Sequence, residues 1–198
     1  MRIVGGRFRG LQLAGLGKGD AAAHLRPTAD RVRESLFNIL ANHGLPEGAV
    51  VLDLFAGTGA LGLEALSRGA ARAVFVDTGA KAQTLLRANI AKARVEAESL
   101  VLDRDATRLG QAETPASLVF IDPPYGKGLG ERALASARAG GWLAPGAMIV
   151  WEEATPQSPP AGFRLLDSRR YGAAHIHLLE GPDDGGAAPA PPALPRDT

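Results

Sequence analysis

A chain of 198 residues, 45% hydrophobic and 22% charged, is long enough to form one substantial core. No stretch of about 18 apolar residues is present and the N-terminus lacks a secretory signal, so we expect a cytoplasmic protein without a membrane partner. The absence of cysteine excludes disulfides, cysteine zinc sites and the thiol nucleophile of cytosine C5-methylation. The four histidines lack the spacing of a metal site, so no metal is expected.

Positive charge is concentrated near the N-terminus, although the whole chain has a net charge of only +1. Residues 1–34 contain seven Lys or Arg against three Asp or Glu. Two short strand-like segments, 2–4 and 10–13, flank a turn that contains glycine, which predicts a β-hairpin. This basic region is a candidate surface for a polyanion, although the same charges could simply solvate a hairpin.

Apolar residues after this region alternate between helix and strand spacing. Thr28 is predicted to cap a helix that ends near Ala41, because apolar residues recur there at steps of three and four. Further helices are predicted at 60–67, 80–93 and 130–139. Strands are predicted at 50–54, 73–77, 99–103, 117–121, 147–152, 163–171 and 174–180. The alternation predicts a mostly parallel seven-stranded α/β sheet, and the last two strands, which leave no room for a crossover helix, should form an antiparallel edge.

The composition changes after Glu180. Residues 181–198 are rich in proline, alanine and glycine and cannot build a core, so they are predicted to be a disordered tail. The chain is thus divided into an N-terminal hairpin and loop extension at 1–26, one domain at 27–180 and the tail.

A glycine motif joins the strand at 50–54 to the next helix. Gly57, Gly59 and Gly62 fit the G-x-G-x-x-G nucleotide fingerprint, in which glycines let the backbone approach the ligand. Asp77 closes the following strand, where a carboxylate can bind ribose hydroxyls. The fingerprint alone fits NAD or S-adenosylmethionine. Asp53 favours S-adenosylmethionine, because a carboxylate inside the preceding strand suits an ammonium and a sulfonium and opposes a pyrophosphate.

A second motif, Asp-Pro-Pro-Tyr, follows the strand at 117–121. Pro123 and Pro124 stop the strand and leave its carbonyl groups as free acceptors. Together with the Asp122 carboxylate and the Tyr125 ring, these carbonyls suit a planar heterocycle that presents an NH2 group. The plain alternative is a strand end followed by a Pro-Pro turn. Because this strand should neighbour the strand at 50–54 across the switch point, one site could hold a methyl donor and an amino acceptor.

The chain resembles the RsmD family of bacterial 16S rRNA guanine-N2 methyltransferases over about residues 1–180. The family's order and spacing are matched by R-P-T-A-D-R-V-R-E-S-L-F-N-I-L, V-L-D-L-F-A-G-T-G-A-L-G-L-E-A-L-S-R-G-A, F-I-D-P-P-Y and S-R-R-Y-G. The resemblance implies a Rossmann-like class I fold, S-adenosylmethionine as donor and methylation of one guanine amine in 16S rRNA within a small-subunit particle. We expect a monomer.

The resemblance also implies which residues form the site. Catalysis is assigned to Asp122, Pro123, Pro124 and Tyr125. The residues implied to bind the cofactor are Asp53, Phe55, Ala56, Gly57, Gly59, Asp77 on the ribose, and Asp105 and Ala106 at the adenine. The candidate RNA contacts are Arg7, Arg9, Arg26 and Arg33, of which Arg26 could instead brace the cofactor site.

Three alternatives remain open. The acceptor could be DNA adenine N6 or a protein glutamine amide, since enzymes for both use similar Pro-Pro-aromatic motifs, although the basic N-terminal region favours RNA. An NAD-dependent dehydrogenase would need a catalytic donor near the nicotinamide, and none is evident in the second half of the chain. A noncatalytic RNA-binding assembly protein is opposed by the intact Asp-Pro-Pro-Tyr.

Overall fold

The computed structural model describes residues 1–15 and 30–184. Within these ranges, the helices are α1 (Asp30–Asn42), α2 (Ala60–Ser67), α3 (Ala80–Ala93) and α4 (Leu129–Ala139). The strands are β1 (Val50–Leu54), β2 (Arg72–Val76), β3 (Ser99–Leu102), β4 (Ala116–Ile121), β5 (Leu143–Glu153), β6 (Arg164–Tyr171) and β7 (Ala174–Glu180). Strands and helices alternate along the chain as predicted, which confirms the α/β class.

The seven strands form one sheet with the order β3-β2-β1-β4-β5-β7-β6. Strands β1 to β5 are parallel, whereas β7 is antiparallel to both β5 and β6, so the predicted antiparallel edge is confirmed. The strand order reverses between β1 and β4, where Leu54 pairs with Ile121. The carboxyl ends of these two strands therefore flank the crevice in which open α/β sheets bind ligands.

Helices cover both faces of the sheet. One buried cluster contains Leu36 of α1, Leu63 of α2 and Leu86 of α3, and the other contains Leu134 of α4. Strands buried on both faces need nearly continuous apolar runs, as in Val50–Leu54 with its single charged residue, Asp53. That exception is the first sign of a site.

The N-terminal segment forms a smaller hairpin than predicted. Its two arms meet at one antiparallel bridge between Arg2 and Gln12, and a 3-10 turn (Gly6–Phe8) joins them. The hairpin is held on α2 by the fully buried Glu64 carboxylate, which accepts the backbone N–H groups of Val4 at 2.7 Å and Gly5 at 2.8 Å. Satisfying these donors inside the protein fixes the hairpin against the α/β domain rather than leaving it separate.

Several sequence predictions fall on residues 16–29 or 185–198, which lie outside the described part of the chain. They include the Thr28 cap, the Arg26 contact and most of the tail. In the ranges that are described, the helices are too short or too polar to cross a bilayer, and no group of three acidic or histidine side chains is arranged to hold a metal.

Candidate active site

The chain turns sharply after β1, at the carboxyl edge of the sheet. Phe55 has a φ of 61°, Gly57 of 56° and Gly59 of 79°, all in the left-handed region that favours glycine. A Cβ on Gly59 would lie only 2.4 Å from the Leu86 side chain. The turn therefore requires glycine at this position, and the strained Phe55 backbone marks the same loop as a functional candidate.

Two carboxylates hold the glycine turn in place. Asp77 follows β2 and accepts the Gly57 N–H at 2.8 Å and the Gly79 N–H at 2.7 Å. Asp53 lies inside β1 and accepts the Gly62 N–H at 2.9 Å. A carboxylate has about four acceptor positions, so Asp77 keeps capacity for ribose hydroxyls while it supports the loop.

Asp53 is almost completely buried, at 2% exposure. Burial raises its pKa to about 8, the Gly62 hydrogen bond opposes this shift, and the charge of Asp77 adds to it. The residue is therefore close to neutral at pH 7, and a cation placed nearby would favour its ionised form.

The Asp-Pro-Pro-Tyr segment begins where β4 ends, beside the glycine turn. Asp122 continues the pairing with β1, since its N–H faces the Leu54 carbonyl at 3.5 Å. Burial raises the pKa of Asp122 well above its usual range, and the nearby carboxyl groups of Glu152, Asp53 and Glu153 raise it further. Tyr125 donates its hydroxyl hydrogen bond to Glu152. The tetrapeptide therefore borders a cluster of carboxyl groups, Asp53, Asp122, Glu152 and Glu153, which is called the acidic pocket below.

Glu152 and Glu153 were missed in the sequence. They end β5, and Ile121 pairs with Trp151, so Glu152 lies directly beside Asp122. Glu153 is buried and accepts the Ala154 N–H at 3.3 Å, and burial raises its pKa. The sequence did contain a signal for them. Two consecutive acidic residues end an apolar strand that is expected to lie next to the strand before Asp-Pro-Pro-Tyr, which indicates a site at this end of the sheet.

Asp105 and Ala106 lie in the connection after β3, near the same edge of the sheet. The Asp105 carboxylate accepts both the N–H and the hydroxyl of Thr107 at 2.8 Å, and these bonds hold its pKa below the usual value. Ala106 is buried. Their predicted contact with an adenine is compatible with this position and stays a prediction.

Of the four arginines predicted to contact RNA, Arg33 does not face solvent. Arg33 is fully buried and binds Asp30 at 2.9 Å and the Arg2 carbonyl, so it presents no phosphate-facing group. Arg7 pairs with Glu98 at 2.7 Å. Because Glu98 directly precedes β3, this pair lies at the amino ends of the parallel strands, whereas the pocket lies at their carboxyl ends.

Arg9 belongs to the same turn as Arg7. The Phe8 N–H binds the Ser67 hydroxyl at 2.9 Å, so the turn packs on the C-terminal end of α2, whereas the site adjoins the N-terminal end of that helix. Arg9 is exposed and lines a cavity of about 320 Å³ between the hairpin and α1. Whether Arg7 and Arg9 contact RNA at this more distant place stays a prediction.

The residues that converge on the crevice therefore come from the ends of four parallel strands. The glycine turn and Asp53 belong to β1, Asp77 follows β2, Asp122 follows β4 and Glu152 ends β5. This fold, with a nucleotide-type glycine turn beside an acidic Pro-Pro-aromatic pocket, defines a Rossmann-like class I methyltransferase.

The chain belongs to the family described as Conserved hypothetical protein 95, whose model matches residues 1–180. A relative from Escherichia coli named Ribosomal RNA small subunit methyltransferase D is 40% identical over 183 residues, which cover 91% of this chain and 89% of the relative. A relative of the same name from Haemophilus influenzae is 32% identical over 186 residues, which cover 91% of this chain and 93% of the relative. The predicted RsmD resemblance is thus confirmed.

Solved structures agree with this assignment. A solved structure of an Escherichia coli protein that is described as a methyltransferase matches with a TM-score of 0.78 and 36% sequence identity. The match covers 92% of this chain and 98% of that chain. The magnesium protoporphyrin IX methyltransferase of Synechocystis, solved with S-adenosylmethionine bound, has a TM-score of 0.60 and 15% identity over 76% of this chain and 78% of that chain. At this identity the likeness shows the fold alone.

Proposed function

We propose that this protein methylates the exocyclic N2 amine of a specific guanine in 16S rRNA of the small ribosomal subunit, with S-adenosylmethionine as methyl donor. The observation that carries the proposal is the pairing of Leu54 with Ile121. This pairing places the glycine turn and the Asp-Pro-Pro-Tyr segment side by side at one edge, so that a donor and an amine acceptor can meet. The names of the relatives support ribosomal RNA as the substrate.

The donor side fits S-adenosylmethionine in its charge and its shape. Glycine lets the turn pack closely on the sheet, since a Cβ on Gly62 would lie 2.3 Å from the Phe75 ring, and this close packing holds the turn at the crevice. We assign the ribose hydroxyls to Asp77, which accepts the Gly57 N–H of the glycine turn, and an ammonium group to the buried Asp53. When bound, the cofactor supplies an electrophilic methyl group on a cationic sulfur.

The acceptor side addresses the poor nucleophilicity of the guanine amine. The N2 lone pair is delocalised into the ring until the nitrogen becomes pyramidal. Asp122 and the Pro123 carbonyl can accept hydrogen bonds from its two N–H groups. These bonds favour the pyramidal form and stabilise the positive charge that grows during transfer. Asp122 or water can then accept the proton that the methylated nitrogen releases.

Tyr125 offers the flat surface on which the target base can stack. Extruding a base from folded RNA costs a few kcal/mol, and stacking on an aromatic ring returns about 1–3 kcal/mol. The hydrogen bond from the Tyr125 hydroxyl to Glu152 fixes the direction of the ring. Orientation of the amine in line with the methyl group can contribute roughly 7–11 kcal/mol, so placement of the base is the larger part of catalysis.

The proposal is tested by incubating the full chain with S-adenosylmethionine carrying a labelled methyl group and small-subunit particles from a strain that lacks this modification. Nucleosides from digested rRNA are then identified by mass spectrometry. We expect the label in N2-methylguanosine alone, at one site, and its loss in Asp122→Ala. Label in DNA N6-methyladenine or in protein glutamine, when DNA or protein is supplied as substrate and rRNA stays unlabelled, would contradict the proposal.

A further inference from the structure

The acidic pocket creates a problem for an RNA substrate. Asp53, Asp122, Glu152 and Glu153 lie near one another, as their mutual effect on the pKa of Asp122 shows. Phosphate groups on either side of an extruded base would be repelled by whichever of these acids is ionised. Cations at the border of the pocket would offset this repulsion, and Arg7 and Arg33 do not lie there.

The register of the sheet identifies one such cation. Glu152 of β5 pairs with Ile176 of β7, and Ile176 pairs with Arg169 of β6. Paired residues in neighbouring strands share a face, so Arg169 projects on the same side of the sheet as Glu152. Two strand spacings of about 4.8 Å separate the two backbones by roughly 10 Å. The Arg169 side chain is 49% exposed.

A second cation lies on α1, which packs over that face. The Ser35 hydroxyl is 2.9 Å from the hydroxyl of Tyr171, which is two residues beyond Arg169 and on the same face. Arg31 is exposed and precedes Ser35 by one helical turn, so the two are neighbours on the helix surface. Arg31 also lines the cavity between the hairpin and α1. Arg31 and Arg169 thus lie on the two elements that meet at Tyr171.

A third cation follows the catalytic tetrapeptide directly. The Gly126 N–H binds the Glu153 carboxyl group, which fixes the loop to the end of β5. Lys127 comes next and is exposed. Lys127 and Arg169 thus lie at the end of the sheet where Asp122 lies, and α1 carries Arg31 one turn from its contact with Tyr171.

We propose that Arg31, Lys127 and Arg169 form a cationic rim that binds the phosphodiester backbone of the RNA on either side of the target base. This inference rests on the proposed function, whose pocket it surrounds. Arg169 also binds Asp167, at 2.7 Å from its Nε atom. A guanidinium group has five donors, so this bond orients Arg169 and leaves further N–H groups for phosphate oxygens.

The test measures binding of in vitro transcribed 16S rRNA by the full chain over a series of salt concentrations. Arg31→Ala, Lys127→Ala and Arg169→Ala are compared with Arg164→Ala. Arg164 is the matched control, because it lies on the same strand as Arg169, is 69% exposed and is also ion-paired, with Glu180. It is the first residue of β6 and therefore lies at the end of the strand that is far from the pocket. Arg169→Lys keeps the charge and tests whether charge alone is sufficient.

In each rim variant, the plot of log binding constant against log salt concentration should become less steep by about 0.7, as expected for one lost phosphate contact. The RNA Kd should rise about fivefold at 0.1 M salt. Arg164→Ala should match the wild type, Arg169→Lys should restore the slope, and calorimetry should show unchanged S-adenosylmethionine affinity. Equal slopes for Arg169→Ala and Arg164→Ala would overturn the rim.

The two proposals fail in different ways. Wild-type protein that binds rRNA through the rim but transfers no methyl group would refute the proposed function and leave the rim standing. Normal N2-methylguanosine formation with rim variants that bind like the wild type would do the reverse. Thermal melting curves confirm that each variant is folded, and Arg169→Gln provides a second uncharged variant if alanine destabilises the strand.

Discussion

The donor and acceptor halves of the crevice differ in how their acids are neutralised. On the donor side, Asp53 and Asp77 accept backbone N–H bonds from Gly62, Gly57 and Gly79. On the acceptor side, Asp122 lies among other carboxyl groups, and its pKa is raised by burial and by their charge. The donor half is organised by hydrogen bonds before any ligand binds, whereas the acceptor half holds a carboxyl group in its neutral form that a nearby cation would ionise.

This difference has a chemical consequence. A carboxyl group held in its neutral form is a weaker acceptor for an amine that becomes positive during transfer. A sulfonium beside Asp122 and an ammonium beside Asp53 would lower both pKa values and ionise the acids when they are required. Binding of the methyl donor would thus prepare the pocket for the base.

The largest expected effect is on the acceptor half. Asp122→Ala should lose about 2.7–4 kcal/mol of transition-state stabilisation, or roughly 10²–10³ in turnover, because one preorganised partner of the developing charge is removed. Single-turnover kinetics at saturating S-adenosylmethionine measure the effect. Asp103→Ala, an exposed acid at the same edge, serves as the control and should be near normal. Near-normal turnover in Asp122→Ala would refute the mechanism.

A smaller effect is expected on the donor half. Asp77→Ala removes the charged acceptor of the Gly57 and Gly79 N–H groups and of the ribose, so S-adenosylmethionine should bind about 1.5–3 kcal/mol more weakly. Calorimetry measures this affinity, while rRNA affinity should stay close to normal. An unchanged cofactor affinity would show that the ribose assignment is wrong.

Packing beneath the donor half can be tested separately. A Cβ on Gly62 would lie 2.3 Å from the Phe75 ring and 3.0 Å from Asp53 Oδ2, so Gly62→Ala should destabilise the fold by about 1–3 kcal/mol. Urea unfolding measures the loss. Gly15→Ala is the control, because its Cβ would meet nothing within 4 Å. Equal stability of the two variants would mean that the turn is not tightly packed.

The smallest effect concerns Asp53 and pH. Its folded-state pKa of about 8 exceeds the unfolded value of 3.8, so the folded protein keeps a proton that the unfolded chain releases. This contribution to stability is complete below about pH 4 and is lost as pH rises toward 8.

Asp53→Asn should therefore be more stable than the wild type near pH 8, by on the order of 1–2 kcal/mol, and the difference should shrink toward pH 4. Thermal unfolding across this range measures it. Asn can still accept the Gly62 N–H, so packing is preserved. A difference that is constant with pH would show that Asp53 titrates normally.

Much of the fold was predictable because local patterns and tertiary packing agree. Val50–Leu54, Ala60–Ser67 and Ala80–Ala93 have the bounds that apolar periodicity and glycine positions indicated. β5 begins at Leu143 rather than Ala147, because an irregular pairing between Ala116 and Leu143 extends it, and no periodic signal marks such a pairing.

The site was predictable where a motif carries its own chemistry, as at Asp122 and Asp77. It was not predictable where position depends on the folded neighbours. Arg33 is off the apolar stripe of α1, yet its side chain is fully buried. There it donates hydrogen bonds to the Arg2 carbonyl and to Asp30. The direction of the hairpin tip, which carries Arg7 away from the pocket, follows from contacts with Ser67 and Glu98 that are distant in sequence.

The central claim is that the positive charges of the cofactor ionise Asp53 in the donor half and Asp122 in the acceptor half, and proton release on binding tests it most directly. Calorimetric titration of S-adenosylmethionine at pH 7, in two buffers with different ionisation enthalpies, gives the number of protons released. We expect net release from the wild type, less release with S-adenosylhomocysteine, which lacks the sulfonium charge, and little in Asp53→Asn/Asp122→Asn. The absence of proton release from the wild type, or equal release in the double variant, would contradict the account.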